Sequence, residues 1–308
     1  MKVTILSKTD FAGSGHKMWE ALSRKIDAEI FVGKYRNKYK HGVRNVTGLL
    51  DPWDIDRAQR SIDTSDIVHL KGDWPPFDGY MNLRIMHKPV ICTVAGSLFR
   101  KRSQCGYEKV LPKHFESCAL KTAITPDLLY PEFSSTWTPS AMDSSDKKNE
   151  WERSDPPIFV HSPSNTAKKG TKFLMFVFEE LKKKISCEVV VLRNVSYSKV
   201  VEDRKSATIF FDQFKVGFYG NASIEAMQYG IPVANWISPQ AFEQAKGQLS
   251  GCPVITAENT VEAWVDKIIQ VLESDMEDLS RKTKEWCEKW HSYESFSERW
   301  INLYNTVA

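Results

Sequence analysis

The stretch Phe218-Tyr219-Gly220-Asn221-Ala222-Ser223-Ile224-Glu225-Ala226-Met227-Gln228-Tyr229-Gly230-Ile231-Pro232-Val233 holds the residues whose types and spacing best suit chemistry. A glycine ahead of a helical segment leaves the first amides, those of Asn221, Ala222 and Ser223, open to an anion, and the helix end adds its positive dipole. Glu225 follows one turn later, where a carboxylate can accept hydrogen bonds from two neighbouring hydroxyls. Together these groups suit a diphosphate joined to a ribose. A plainer reading makes the segment an ordinary helix with Glu225 as a favourable acid near its start.

A second group is His161-Ser162-Pro163-Ser164-Asn165-Thr166-Ala167-Lys168-Lys169-Gly170-Thr171. Lys169, just before Gly170 and Thr171 at a helix start, can reach a diphosphate; the alternative is a lysine solvated in a loop. Asp212-Gln213 supplies polar contacts after an apolar run, or a capping turn. Gly13-Ser14-Gly15-His16 follows the first apolar run, with His16 facing either a ligand or the solvent. Asp54-Ile55-Asp56 mimics a metal-binding carboxylate pair, but its place ahead of a helix favours capping by Asp51 or Asp54.

These groups need strands and helices to hold them, and the pattern supplies both. Strands are expected at Val3–Ser7, Glu29–Val32, Ile67–Leu70 and Pro89–Val94, with helices at Lys17–Ile26 and Trp53–Ile62. From Trp137 to Pro157 the chain turns polar and reads as a connector. The alternation then restarts. Strands are expected at Ile158–His161, Glu188–Leu192, Thr208–Phe211, Pro232–Asn235 and Val254–Thr256. Helices are expected at Thr171–Lys184, Ser196–Arg204 and Asn221–Tyr229, and beyond Thr260 the chain reads as helical. Short apolar strands alternating with helices imply parallel, doubly wound sheets of the α/β class. The reading is a first Rossmann-like domain over 1–140, a linker over 141–156, and a second over 157–308 that includes the closing helices. Ligands of such sheets bind beyond the carboxyl ends of the strands.

The chain has 308 residues, 42% of them hydrophobic and 26% charged, as expected of a globular protein with room for two domains. No run approaches the roughly 20 apolar residues that a bilayer requires, and the start lacks the apolar core of a signal peptide. A cytoplasmic location is expected. The six cysteines form no Cys-x-x-Cys pair, so reduced thiols are expected rather than a zinc ribbon. Residues 1–140 carry 21 Lys and Arg against 15 Asp and Glu, whereas the remainder carries 21 against 24. That split implies two domains with different partners.

The chain resembles the retaining GT-B glycosyltransferases, the group that includes glycogen synthase and bacterial mannosyl- and glucosyltransferases. The resemblance runs through Gly13-Ser14-Gly15, Ser65–Leu70, Lys88–Thr93 leading into Gly96-Ser97, and Thr125–Leu129. It continues through Pro163–Asn165 with Lys169–Thr171, Gly220–Val233, and the closing helices up to Trp300 and Tyr304. It implies two Rossmann-like domains facing each other across a cleft, C-terminal helices packing back, and a nucleotide-sugar donor held by the C-terminal domain. Lys169 would contact the donor phosphates and Glu225 the ribose, and these two are the residues expected to matter most for catalysis. The remaining donor contacts would come from Gly13, Ser14, Gly15, Ser162, Asn165, Gly170, Val195, Asp212, Tyr219, Gly220, Asn221, Ala222 and Ser223. Members of this group use no cofactor and usually no metal, because helix dipoles and cations offset the leaving charge. Three positions depart from the pattern. Gly217 stands where a glutamate is common, Ser164-Asn165 where an arginine is common, and Ala95 where a histidine is common.

For the acceptor, Lys34–His41 interleaves cations with aromatics, and Arg100-Lys101-Arg102 adds a second basic cluster. Lys38, Lys40, Arg100 and Lys101 suit a polyanion such as DNA bearing a modified base, an envelope glycan, or a lipid-linked acceptor at an anionic membrane surface. Solvated loops are the plainer reading. Two other readings share the fold: a nucleotide-sugar 2-epimerase, which would need acid–base groups in the cleft, and a non-catalytic member that binds nucleotide or glycan.

Overall fold

The protein is described from a computed structural model that covers residues 1–10, 13–35, 52–72, 83–85, 87–95, 117–129, 136–144, 146–245 and 247–308. It divides into two compact units, Met1–Asp143 with Tyr293–Ala308, and Ser144–Ser292. The division falls inside the 141–156 stretch that composition marks as a connector. Within that stretch Met142 is buried in the first unit and Trp151 in the second, where its indole donates to Thr208 O at 3.1 Å. The closing helix belongs to the first unit, whereas the sequence reading counted 157–308 as one piece.

The first unit begins with strand β1 (Lys2–Asp10), helix α1 (Ser14–Ser23), strand β2 (Asp27–Tyr35), helix α2 (Pro52–Thr64) and strands β3 (Ile67–Lys71), β4 (Val90–Val94), β5 (Leu120–Ala123) and β6 (Thr136–Trp137). They form one parallel sheet in the order β2-β1-β3-β4-β5-β6. Val3, Ile5, Leu6, Ile67, Val68, Leu70, Ile91 and Cys92 are all buried, because a parallel sheet is covered on both faces. Asp54 and Asp56 lie inside α2 rather than ahead of it, so neither is its cap.

Strand β5 and the two-residue β6 are too short to show an apolar period, although Ala123 and Trp137 are buried. Their polar side chains are instead matched to one another. The hydroxyls of Thr93 and Thr122 lie 2.8 Å apart, and Thr138 donates to Thr122 at 3.1 Å. Buried His69 continues the chain, with Nε2 at 2.7 Å from Thr93 and Nδ1 at 2.8 Å from Tyr304. Burial holds its pKa down to about 3, so the ring is neutral.

The second unit contains β7 (Ile158–His161), α3 (Thr166–Lys169), α4 (Thr171–Lys184), β8 (Glu188–Val191), α5 (Tyr197–Lys205), β9 (Ile209–Phe211), α6 (Asn221–Met227), β10 (Val233–Ala234), α7 (Pro239–Gln244), α8 (Val261–Leu272) and α9 (Met276–His291). Its sheet is parallel, in the order β10-β9-β7-β8. The 254–256 segment contributes a single bridge, Ala234 to Ile255. Helix α4 buries Leu174, Val177, Phe178 and Leu181, which share one face, and ends in Lys182, Lys183 and Lys184, which complement the negative end of its dipole.

Helix α10 (Tyr293–Asn305) returns the chain to the first unit. Phe296, Trp300 and Tyr304 recur every four residues and join a core with Met18, Ala21 and Leu22 of α1 and Ile5 and Ile30 of the sheet. Five of the six cysteines are described, and no disulfide joins any of them.

Candidate functional site

In each sheet the strand order reverses beside the first strand, and the crevice beyond the carboxyl ends of the strands at that point is where α/β folds bind ligands. In the second unit the reversal lies between β7 and β9, which end at His161 and Phe211. The expected groups gather there. Lys169 forms an ion pair with Asp212. The same carboxylate accepts from Ser223 Oγ at 2.9 Å and from the Gly220 amide at 3.3 Å. Burial works to raise the pKa of Asp212, but the Lys169 charge and the hydrogen bonds from Lys169 and Ser223 outweigh it and hold the carboxyl below its usual range. Asp212 therefore ties Gly220 and Ser223, at the start of α6, to Lys169.

The backbone locks this arrangement. Phe214 N donates to Lys169 O at 3.0 Å. Gly170 has φ +73, and a Cβ there would meet Phe214 at 3.0 Å, so only glycine lets the two loops approach so closely. His161 is buried, donating from Nδ1 to Phe211 O at 2.8 Å and accepting at Nε2 from Thr171 Oγ1 at 2.9 Å. Burial holds its pKa down to about 4, and it braces β7, β9 and the start of α4 as a neutral ring.

Asn221 and Ala222, both half-buried residues, open α6 with their amides, whereas the Ser223 amide folds back on Gly220 O at 3.0 Å. The expectation of three open amides is thus corrected to two. Asn165 does not contact the cluster through its side-chain oxygen, which caps α3 by accepting from Lys168 N at 2.9 Å. Ser162 has a buried hydroxyl without a partner among the described residues. Val195 is largely exposed. The Tyr219 side chain is turned away into the packing against α9. Its hydroxyl accepts from Trp286 Nε1 at 3.1 Å and lies 3.1 Å from His291 Nε2. Tyr219 can therefore contribute only backbone to a donor.

Glu225 is buried but lines a cavity of about 240 Å³, together with Lys147, Tyr197, Val201, Arg204, Lys205, Gln228, Tyr229 and Ile231. Its Oε2 accepts from Arg204 Nη1 at 2.8 Å. The Tyr197 hydroxyl also bonds to the Glu225 carboxylate, and burial, together with that carboxylate's charge, pushes the phenol's pKa well up. Lys205 sits over the Tyr229 ring at 4.3 Å and pairs with Glu150 at 2.6 Å. Sequence reading missed this wall. The signal was the spacing of Tyr197, Val201 and Arg204, which are four and three residues apart and so share one face of α5.

Gly217, the position of the missing glutamate, has φ +88, and a Cβ there would lie 2.9 Å from Ser238 Oγ. At this positive φ any side chain would be strained and would press on Ser238, which favours glycine.

In the first unit, the reversal falls between β1 and β3, which end at Asp10 and Lys71. Asp10 accepts from the amides of Gly15 at 2.6 Å and His16 at 3.2 Å. Lys71 donates to Ser14 Oγ at 2.7 Å, and burial lowers its pKa while the Asp10 charge opposes that shift. The start of α1, expected to present Gly13, Ser14 and Gly15 to a diphosphate, is thus already capped by a carboxylate of its own chain. His16 is buried, which removes the surface alternative. Lys38, Lys40, Arg100 and Lys101 lie outside the described residues, as do Gly96 and Ser97. Among the described residues no helix is long and apolar enough to cross a membrane.

A scan against protein-family models returns no match, and a search of curated proteins returns none either. Solved structures do match. An α-glucosyltransferase in complex with UDP superposes with a TM-score of 0.65 at 12% identity, over 98% of this chain and 99% of that one. Anabaena HepE in complex with UDP and glucose gives 0.62 at 11% identity, over 99% of this chain and 100% of that one. Sucrose-phosphate synthase from Thermosynechococcus elongatus gives 0.59 at 13% identity, over 99% of each chain. The likeness is one of fold: this chain has the GT-B fold.

Proposed function

We propose that the protein is a glycosyltransferase that takes a sugar from a nucleotide-diphosphate donor, with retention of configuration, and places it on an acceptor hydroxyl. The observation behind this reading is that one helix carries a phosphate-type cluster at its start and lines a ribose-type cavity one turn further on. Lys169, Gly220 and the Asn221 and Ala222 amides stand at the start of α6, and Glu225 lines a cavity from the same helix. The neighbours' complexes with UDP, and in one case with UDP-glucose, support a uridine donor as the first to try.

The chemistry follows from charge. Breaking the sugar–phosphate bond leaves negative charge on the departing diphosphate. The Lys169 ammonium and the helix-start amides are fixed donors that stabilise that charge without reorganising. Asp212 holds Lys169 in place beside the start of α6. We assign the acceptor side to Lys38, Lys40, Arg100 and Lys101, whose charge favours a polyanionic acceptor such as DNA or an anionic envelope glycan.

Proton NMR of the protein with a panel of nucleotide sugars tests the reading. Slow release of the free sugar with its anomeric configuration retained is expected for one donor. Lys169→Ala and Glu225→Ala should each lower that rate about 100-fold. Serine at the four basic positions should leave hydrolysis unchanged while weakening acceptor use most at low salt. No turnover of any donor, or interconversion of one sugar nucleotide into another, contradicts the assignment.

A further inference from the structure

Gln213 follows the end of β9 and stands beside the start of α6. Its backbone is pinned toward β10. The amide donates to Asn235 Oδ1 at 3.0 Å, and the carbonyl accepts from Trp236 N at 2.8 Å. The side chain turns the other way, where Nε2 donates to Phe218 O at 3.3 Å. A Cβ built on Gly220 would meet that nitrogen at 2.8 Å, Asp212 Oδ2 at 3.3 Å and Lys169 Nζ at 3.6 Å. The carboxamide and the Lys169–Asp212 pair therefore crowd over one bare glycine. Gln213 and Gly220 are both half-buried, and the Lys169 side chain keeps 14% of its surface, so solvent reaches this spot. A carboxamide has two N–H donors and an oxygen with two lone pairs. Phe218 O is an acceptor, so the nitrogen must face it, which fixes how the amide is turned. One N–H is used there. Oε1 has no partner among the described residues, and it is not one of the buried orphan atoms. It faces outward with its acceptor capacity unused.

We infer that Gln213 is a ligand of the transferred sugar, its Oε1 accepting a hydrogen bond from a hydroxyl of that sugar beside the distal phosphate. The inference rests on the proposed placing of the donor, with its diphosphate at Lys169 and its ribose at Glu225. Chemistry favours a hydroxyl over a phosphate. Phosphate oxygens only accept, and an amide oxygen beside them would repel, whereas a sugar hydroxyl can donate to Oε1. Position favours the sugar over the ribose. Glu225 faces Arg204 of α5, the helix that enters β9 from β8. Gln213 is tied to the residues that follow β10, and β10 and β8 are opposite edges of the sheet. A donor with its ribose toward α5 and its diphosphate at Lys169 thus brings its sugar to the β10 side, where Gln213 stands. Being uncharged, the carboxamide can read a hydroxyl there without adding to or opposing the charge on the diphosphate.

The test is donor hydrolysis followed by proton NMR, with UDP-glucose, UDP-galactose, UDP-N-acetylglucosamine and GDP-mannose. The donor that turns over is then compared with its deoxy forms, one sugar hydroxyl removed at a time, and inhibition by UDP or GDP alone is measured alongside. In the wild type, loss of one particular hydroxyl should lower kcat/KM about tenfold, the scale of a single hydrogen bond. Gln213→Met, close in size but without the amide, should lower kcat/KM for the full sugar by about the same factor and abolish the penalty at that hydroxyl. Inhibition by the bare diphosphate should stay within about twofold of wild type. Gln213→Ala, which removes the same amide, serves as the second variant should the methionine one fail to fold. If diphosphate inhibition weakens in step with donor use, Gln213 only braces the loop through Phe218 O and the inference falls. It falls equally if every deoxy penalty is the same in variant and wild type. Both of those results leave Lys169 and Glu225 as assigned. If the wild type hydrolyses none of these donors, the donor reading fails and the inference with it.

Discussion

Lys169 and Asp212 are joined more tightly than a donor-binding lysine and a nearby turn residue would require. The carboxylate is buried and already accepts from Ser223 and Gly220, so removing the lysine leaves charge behind in a poorly solvated place. Breaking a buried pair from one side costs about 3–5 kcal/mol, whereas removing both charges together costs far less. Lys169→Met should therefore lower unfolding free energy by an amount in that range. Adding Asp212→Asn should restore most of it without restoring donor turnover. Urea denaturation of the single and double variants measures the difference. Equal stability of Lys169→Met and wild type would mean that the pair does not anchor the site. Residue identity hinted at this pair only in part. Lys169 and Asp212 stand out as polar groups beside apolar runs, but their 43-residue separation gives no sign that they meet. Arg204 was invisible for the same reason. It reads as a charge on a helix, and only the fold brings it against Glu225, 21 residues away.

Elements whose burial follows one period were legible, and those held by polar contacts were not. Helix α4 matches its expected bounds because four apolar residues mark one face and three lysines mark its end. Strands β5 and β6 were missed because Thr122 and Thr138 are satisfied by other hydroxyls inside the sheet, an arrangement no hydropathy pattern reveals. Helix α3, four residues long, was not expected, since a single helical turn capped by Asn165 has no face to display. The loop before α6 shows the opposite case, where a missing residue has a structural cause. With φ +88 and Ser238 against it, Gly217 excludes the glutamate that the sequence resemblance would place there. Gly217→Ala should destabilise the protein by about 1–3 kcal/mol, the usual cost of forcing a side chain into such a conformation. Gly217→Glu should be worse and should not raise donor turnover. A Gly217→Glu variant with wild-type stability and faster turnover would show that the loop had room for the carboxylate after all.

At the scale of the whole molecule, both sheets end their first strands in buried charged or polar groups, but they use them differently. In the first unit the carboxylate of Asp10 takes the amides that open α1, so that helix end is spoken for. In the second unit the Asn221 and Ala222 amides remain beside a lysine, and a cavity lined by Glu225 and Arg204 lies along the same helix. The GT-B neighbours match over nearly the whole chain at 11–13% identity, which shows the fold. A crystal structure of the protein soaked with UDP tests the central claim most directly. The account predicts the diphosphate within hydrogen-bonding reach of Lys169 and the Asn221 and Ala222 amides, with the ribose against Glu225. UDP bound elsewhere, or a Glu225 cavity still closed around its own ion pair while the nucleotide sits outside it, would contradict the account.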